Sequence, residues 1–325
     1  MIEGLVLGVD GGGSKTLVAL ADTSGQVIQL TRGAASNPLD QRGWQRTLTQ
    51  QLEPFGGDRR IAAVAAGLPA YGEVEAISAE QRAAVGAVFG STPQRVLNDV
   101  DAAHLGAFAG GPGILILSGT GSMVWARDAA GNSHRVGGWG DAIGDEGSSH
   151  WIGRRILSLV SKSLDGRALP TALTKAVFDQ LGLDLADPVN GLEGWVSHLG
   201  NPRAEVAALA PLASRHAEQG DVGARALIEA AASELALHAT AITERAGRGL
   251  EWSYAGGTFA SAPLRAAVTA QIGRPPVPPV LSPIGGALLA AAQHAGWPID
   301  AAWTECLAAS LAAPAPRINK LQKTT

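Results

Sequence analysis

A single cysteine, Cys306, stands in 325 residues, and that scarcity excludes several chemistries. One thiol closes no intramolecular disulfide and cannot by itself complete a zinc or iron–sulfur site. A reducing cytoplasm is the expected compartment. A basic stripe is also missing: 25 Lys and Arg against 29 Asp and Glu leave a net charge of −4, which argues against broad affinity for nucleic acid or an anionic membrane. No apolar run is long enough to span a bilayer. The start MIEGLVLGVD, broken by Asp10 and without a basic leader region, reads as neither signal peptide nor anchor. The histidines (104, 134, 150, 198, 216, 238 and 294) are scattered without metal-ligand spacing. What the chain does have is apolar content, 46%, enough to give each of about two domains a core.

It also has glycine placed after strands. The segment LGVDGGGSKTLVALADTSGQVI, residues 7–28, ends a glycine run in Ser14-Lys15-Thr16. A Walker loop needs Gly directly before that Lys and a helix after it. Here Ser14 holds the position, and a β-branched, apolar run from Thr16 to Ala21 leads to a Gly turn at 22–25. The pattern predicts strand, tight turn, strand, turn, strand. Such a hairpin can still offer backbone N–H groups to a phosphate, because glycine lets the main chain approach closely. Gly12, Gly13 and Ser14 are the donors expected there.

ILILSGTGSMVWARDAAGNSHRV, at 114–136, repeats the order strand, glycine turn with Ser, strand, Asp-containing Gly turn, strand. Gly11 corresponds to Gly119. Two copies of one unit predict two similar domains facing one another, each lending a glycine hairpin to a shared cleft. Between them, RIAAVAAGLP at 60–69 reads as a buried strand, and QRVLNDVDAA at 94–103 as a short strand passing through an acidic turn into a helix. The class is therefore α/β. Residues 147–250 read as helical, with Asp221 and Gly247 capping one helix. EWSYAGGTFAS at 251–261 reads as strand and Gly-Gly turn, and 285–296 as a final apolar helix. The stretch after Pro298 has little to bury and is expected to be loose. The expected division is an N-terminal domain at 1–112 with a return of helix 285–297, a larger C-terminal domain at 113–284 with a helical insertion, and a tail at 298–325.

Three glycine turns follow strands, at 11–13, 119–121 and 256–257. A triphosphate needs donors from two sides, so Gly119, Thr120 and Gly121 join the first hairpin as phosphate donors. Gly256 and Gly257 offer an adenosine a surface without side chains. Asp10, ending the first strand, is placed to hold the hydration shell of Mg²⁺, which uses one or two carboxylates; a turn-forming Asp is the alternative. Lys15 either neutralises phosphate or is a solvated strand residue. Asn98-Asp99 ends a strand, where ligands of open α/β sheets gather. Asp99 there either takes a proton from an attacking hydroxyl or caps the following helix. Spacing does not choose between Asp99 and Asp101. The stretch GGWGDAIGDEGSSHWIG, 137–153, combines dense glycine with Asp141, Asp145 and Glu146. Carboxylates and backbone groups bind sugar hydroxyls, and Trp139 would stack or brace the loop. An acidic helix start explains Asp145 and Glu146 but not GGWG. Cys306 reads as packing.

DGGGSKT at 10–16, NDVDAAHLGA at 98–107, ILSGTGS at 116–122, the 137–153 stretch and AGGTFAS at 255–261 run in one order over residues 4–296. Together they resemble the BadF/BadG/BcrA/BcrD-type ATPase family and, within it, the N-acetylglucosamine kinases of the sugar kinase, actin and chaperone ATPase superfamily. The resemblance implies two ribonuclease-H-like, actin-like domains with a central cleft, closing on MgATP and an amino sugar. It further implies transfer to the sugar 6-hydroxyl, in a homodimer. On that resemblance Asp99 is the base, and Asn37, Thr120, Gly138, Trp139 and Asp145 touch the sugar with it. Asp10, Gly12, Gly13, Lys15 and Thr16 serve the phosphates and metal, and Gly256 and Gly257 lie at the adenosine. Val136 departs from the pattern, standing where the eukaryotic kinases carry a cysteine beside the acetamide. N-acetylglucosamine and glucosamine both stay open as substrates.

An aspartate near its ordinary pKa of about 3.9 is ionised at pH 7 and only weakly basic. That suffices for a loose, metaphosphate-like transition state. Two rivals share the fold. Activators of dehydratases, which pass electrons from a cluster bridging two subunits, need two cysteines per subunit, and this chain has one. A sugar-sensing regulator is expected to carry a helix-turn-helix, for which few residues precede the first strand.

Overall fold

The computed structural model describes residues 4–13, 15–39 and 41–313. Two compact units divide the chain, Met1–Gly111 with Pro278–Thr325, and Pro112–Val277. The first unit runs β1 (Leu5–Gly11), β2 (Thr16–Asp22), β3 (Val27–Gly33), α1 (Trp44–Leu52), β4 (Ile61–Leu68), α2 (Glu75–Phe89), β5 (Gln94–Asn98) and α3 (Asp99–Ala107). Its sheet has the order β3-β2-β1-β4-β5. The first three strands are antiparallel neighbours, while β4 and β5 run parallel to β1. This is the ribonuclease-H-like arrangement that the resemblance implies. The apolar run of β1 is continuous because both faces are covered. Leu5, Leu7 and Val9 enter a core with Trp44, Leu48 and Val85, and Val6 enters the opposite one with Leu105.

The second unit repeats the opening with β6 (Gly113–Ser118), β7 (Ser122–Arg127) and β8 (Ser133–Gly137). Seven α-helices among the described residues follow: α4 (Ser149–Leu164), α5 (Leu173–Leu181), α6 (Pro188–Ser197), α7 (Pro202–Ala207), α8 (Ala210–Glu218), α9 (Val222–Ala246) and, beyond β9 (Trp252–Ala255), α10 (Ala262–Ile272). The sheet order is β8-β7-β6-β9, with β9 parallel to β6. Asp221 caps α9 as its sequence suggests, accepting from Ala224 N at 2.8 Å. No helix among the described residues is long and apolar enough to cross a membrane.

The chain then returns to the first unit with α11 (Pro283–His294) and α12 (Ala301–Ala312). The stretch after Pro298, expected to be loose, thus carries a packed helix. Trp303 and Leu307, one turn apart, are buried in the same core as Val6 and Leu288. The polar ending RINKLQKTT hides this spacing from a reading of composition. Residues 314–325 lie outside the described residues.

Candidate functional site

Parallel pairing of β1, β4 and β5 brings three segments to one carboxyl end of the first sheet: Asp10 is in register with Gly67, and Leu68 with Asn98. Ligands of such sheets gather there. Asn98 caps α3, its Oδ1 accepting from Val100 N at 2.9 Å while its Nδ2 donates to Tyr71 O at 2.9 Å. Asp99 is thereby fixed as the first residue of α3, with its own Oδ1 accepting from Val100 N at 3.0 Å. Burial, then the charges of Asp10 and Glu73, push the Asp99 carboxyl up to about 7. Its backbone donors pull the other way and lose. The weakly basic Asp99 expected from ordinary values is corrected here, because desolvation and like charge place its pKa near neutrality. Asp101 points instead toward Arg95, at 4.0 Å.

Burial also raises Asp10, to about 6, with Lys15 opposing. Two half-buried carboxylates that resist ionisation suit a hydrated divalent cation, which supplies the missing positive charge. Among the described residues no group of three or more His, Cys, Asp or Glu could hold a metal alone. A Mg²⁺ at Asp10 would therefore take most of its ligands from water and phosphate. Gly12, Gly13 and Lys15 form the turn from β1 to β2; Ser14 lies outside the described residues. Thr16 is fully buried, its Oγ1 2.9 Å from Ser36 Oγ. That contact ties the hairpin to the segment holding Asn37, which is buried and whose Oδ1 accepts from Leu39 N at 3.1 Å.

In the second unit the turn Gly119–Gly121 and the loop 137–148 are wired together by hydroxyls. Ser149 donates to Gly119 O through both N and Oγ, at 2.8 and 2.5 Å. Ser122 Oγ donates to Glu146 O at 2.7 Å and Ser118 Oγ to Gly147 O at 2.9 Å. The GGWG stretch owes its glycines to the backbone: Gly137, Gly138 and Gly140 have φ of 75°, 72° and 83°, where side chains are strained. Trp139 is 70% exposed, with the Arg135 guanidinium 5.8 Å from its ring. Arg135 also donates to Gly137 O and Gly138 O, at 3.1 and 2.5 Å. Asp145 has φ 59° yet is 4% exposed. Its Oδ1 accepts from Ser122 N at 3.2 Å and its Oδ2 from Arg203 Nη2 at 2.6 Å.

A cavity of about 380 Å³ opens in the same unit beside Gly257 and Thr258, walled by Ile152, Pro211, Ser214, Arg215 and Leu264. An apolar slot rimmed by hydroxyls and a guanidinium suits a purine ring. The two glycines of the turn differ. A Cβ on Gly256 would overlap the carbonyl of Ser118, while one on Gly257 meets open space.

The structure thus gathers Asp10, Lys15, Thr16, Asn37 and Asp99 in the first unit. Gly119, Thr120, Gly121, Gly138, Trp139, Asp145, Gly256 and Gly257 lie in the second. Sequence reasoning missed Arg203, Ser149, Ser214 and Arg215. Ser149 belongs to the visible GSS motif, but nothing local marks Ser214 or either arginine.

Comparison with known proteins gives this geometry its relatives. The family model described as "BadF/BadG/BcrA/BcrD ATPase family" matches residues 7–291. The N-acetylmuramic acid/N-acetylglucosamine kinase of Clostridium acetobutylicum is 29% identical over 245 residues, covering 74% of this chain and 79% of that protein. The N-acetyl-D-glucosamine kinase of Dictyostelium discoideum is 33% identical over 127 residues, 38% of each chain. A solved structure from Chromobacterium violaceum, described as a proposed N-acetylglucosamine kinase, matches with a TM-score of 0.73 and 28% identity over 89% of this chain and 99% of that one.

Proposed function

The chain belongs to the BadF/BadG/BcrA/BcrD ATPase family, and we propose that within it the protein transfers the γ-phosphoryl group of ATP to the 6-hydroxyl of N-acetylglucosamine. Its curated relatives are kinases of amino sugars. Like them it is a phosphotransferase with an alcohol acceptor. The observation that supports transfer to a hydroxyl is Asp99, a carboxyl raised to about 7 at the start of α3, beside a second raised carboxyl, Asp10. A base tuned close to working pH accepts a hydroxyl proton as that oxygen attacks, and orients it beforehand.

Asp10 would hold Mg²⁺, which supplies charge neutralisation at the phosphates. Lys15 and the N–H groups of Gly12 and Gly13 would meet the phosphates; in the second unit the Gly119 N–H is already given to Gly121 O at 2.8 Å, so Thr120 and Gly121 are the donors proposed from that turn, with the amino end of α4 adding its dipole. Gly257 and the adjoining cavity receive the adenosine. Asn37, Thr120, Gly138, Trp139 and Asp145 hold the sugar. A homodimer in the cytoplasm completes the reading, suited to a chain with one thiol.

The test is coupled ADP release with MgATP against N-acetylglucosamine, glucosamine, N-acetylmuramic acid, N-acetylmannosamine, glucose and no sugar, with phosphorus NMR of the product. N-acetylglucosamine 6-phosphate as the main product supports the proposal. Preferred turnover of glucosamine moves the substrate, and ADP release independent of sugar overturns the kinase.

A further inference from the structure

We propose that Arg203 is a positioning residue of the sugar site, holding the Asp145 carboxylate and with it the Gly119–Gly121 turn in the form that receives the amino sugar. This rests on the assignment of Asp145 to the sugar.

Three features of the geometry meet at Arg203. Its Nη2 lies 2.6 Å from Asp145 Oδ2 and its Nε 3.9 Å from Asp141 Oδ1, so it reaches two of the three acids of the glycine-rich loop. The ion pair is pressed against the turn: a Cβ on Gly121 would lie 2.6 Å from that same Nη2 and 2.9 Å from Asp145 Oδ2. Both partners therefore lie directly against the turn that carries Thr120. Finally, Arg203 comes from an element held in place independently of the loop. Asn201 caps α7, accepting from Ala204 N at 3.1 Å, while its own N–H donates to Glu205 Oε1 at 2.7 Å. The helix packs so closely on α4 that a Cβ on Gly153 would overlap the Val206 carbonyl. The guanidinium is thus anchored through α7 and α4.

A role confined to stability explains this poorly. A buried ion pair seldom outperforms a well-packed apolar pair, because both charges are desolvated. Here one partner also sits at φ 59°, and such backbone is retained at sites where geometry matters. Without Arg203, Asp145 keeps the Ser122 N–H but loses its bonded cation, so the carboxylate is free to leave its place. The damage is expected to fall hardest on the sugar, because Asp145 itself is assigned to it, and less on the nucleotide, which shares the Gly119–Gly121 turn and, through Ala207 of α7, the wall of the cavity.

Steady-state kinetics of Arg203→Ala, Arg203→Lys, Asp145→Asn and the double variant R203A/D145N decide the matter, with sugar and ATP varied separately. Misplacement of about 1 Å is worth up to roughly 10²-fold, so Arg203→Ala is expected to raise the sugar KM about 10- to 100-fold and the ATP KM by no more than a few fold. Arg203→Lys restores part of the loss, having the charge without the fork. It carries the test should the alanine variant fail to fold. The double variant is expected to be no worse than the poorer single one. An unchanged sugar KM, equal losses for both substrates, or additive losses overturn the proposal. A wild-type protein without sugar-dependent ADP release overturns the kinase reading itself, and the two failures are thereby told apart.

Discussion

The carboxylate of Asp10, at the end of β1, raises the pKa of Asp99, at the start of α3. The proposed base, Asp99, would accept a proton only when ionised, so activity is expected to fall as pH drops through the raised value of about 7. A cation on Asp10 removes part of the repulsion. The acid limb of kcat/KM for the sugar therefore lies lower at saturating MgATP than at limiting Mg²⁺. A profile that is flat from about pH 5 to 8 at both metal levels rules out the carboxylate as the base.

Replacing Asp99 separates its chemistry from its electrostatic cost. A general base is typically worth ~10²–10⁴ in rate, or roughly 3–5.5 kcal/mol, so Asp99→Asn is expected to lose that much in kcat while the sugar KM stays within a few fold. The folded pKa lies above the unfolded 3.8. Protonation thus stabilises the fold fully at low pH, and that contribution is lost as pH rises through about 7. The ligand-free Asp99→Asn protein is expected to be more stable than wild type by about 1–2 kcal/mol at slightly alkaline pH. In mild acid the gain shrinks. Urea unfolding at both pH values checks this; an equal effect at the two is the contrary result.

Much of this arrangement is legible in the sequence because its determinants are local. The strand–glycine–strand repeat rests on period-two patterning and turn chemistry within about 25 residues, and it recurs as β1–β3 and β6–β8. The strand-to-helix passage at Asn98-Asp99 is likewise local, an N-cap next to its helix. What escapes depends on distance in the chain. The raised pKa of Asp99 needs Asp10 and Glu73 folded beside it. Arg203 is 58 residues from Asp145, in a short helix with no motif. The burial of α12 needs β1 and α11 to provide its surface. The GGWG glycines were visible as a signal, yet their immediate cause is left-handed backbone.

Gly256 and Gly257 look equivalent in sequence and should behave differently. Gly256 has φ 101°, and its Cβ would overlap the Ser118 carbonyl, which also accepts from Thr258 Oγ1 at 2.5 Å. Gly256→Ala is therefore expected to destabilise by more than about 2 kcal/mol, through overpacking and strain together. Gly257→Ala, in open space, should leave stability within about 0.5 kcal/mol and raise the ATP KM by narrowing the cavity. Thermal unfolding with ATP titration separates them. A Gly257→Ala protein with an unaltered ATP KM removes that glycine from the nucleotide site.

Trp303 decides whether the helix after Pro298 is part of the fold. Besides its burial with Leu307, α12 covers the edge strand β3: Ser310 Oγ accepts from Val27 N at 2.9 Å and from Gln26 Nε2 at 2.6 Å. Trp303→Ala is expected to cost about 3–5 kcal/mol, the range for removing a buried aromatic side chain. The indole Nε1 is buried without a hydrogen-bond partner, so Trp303→Phe forfeits packing alone and should cost less than about 1.5 kcal/mol. Urea unfolding of the two variants measures both values. A Trp303→Ala protein within about 0.5 kcal/mol of wild type would make α12 a detachable appendage, and an equal loss for Phe and Ala would locate the energy in the indole rather than in the filled volume.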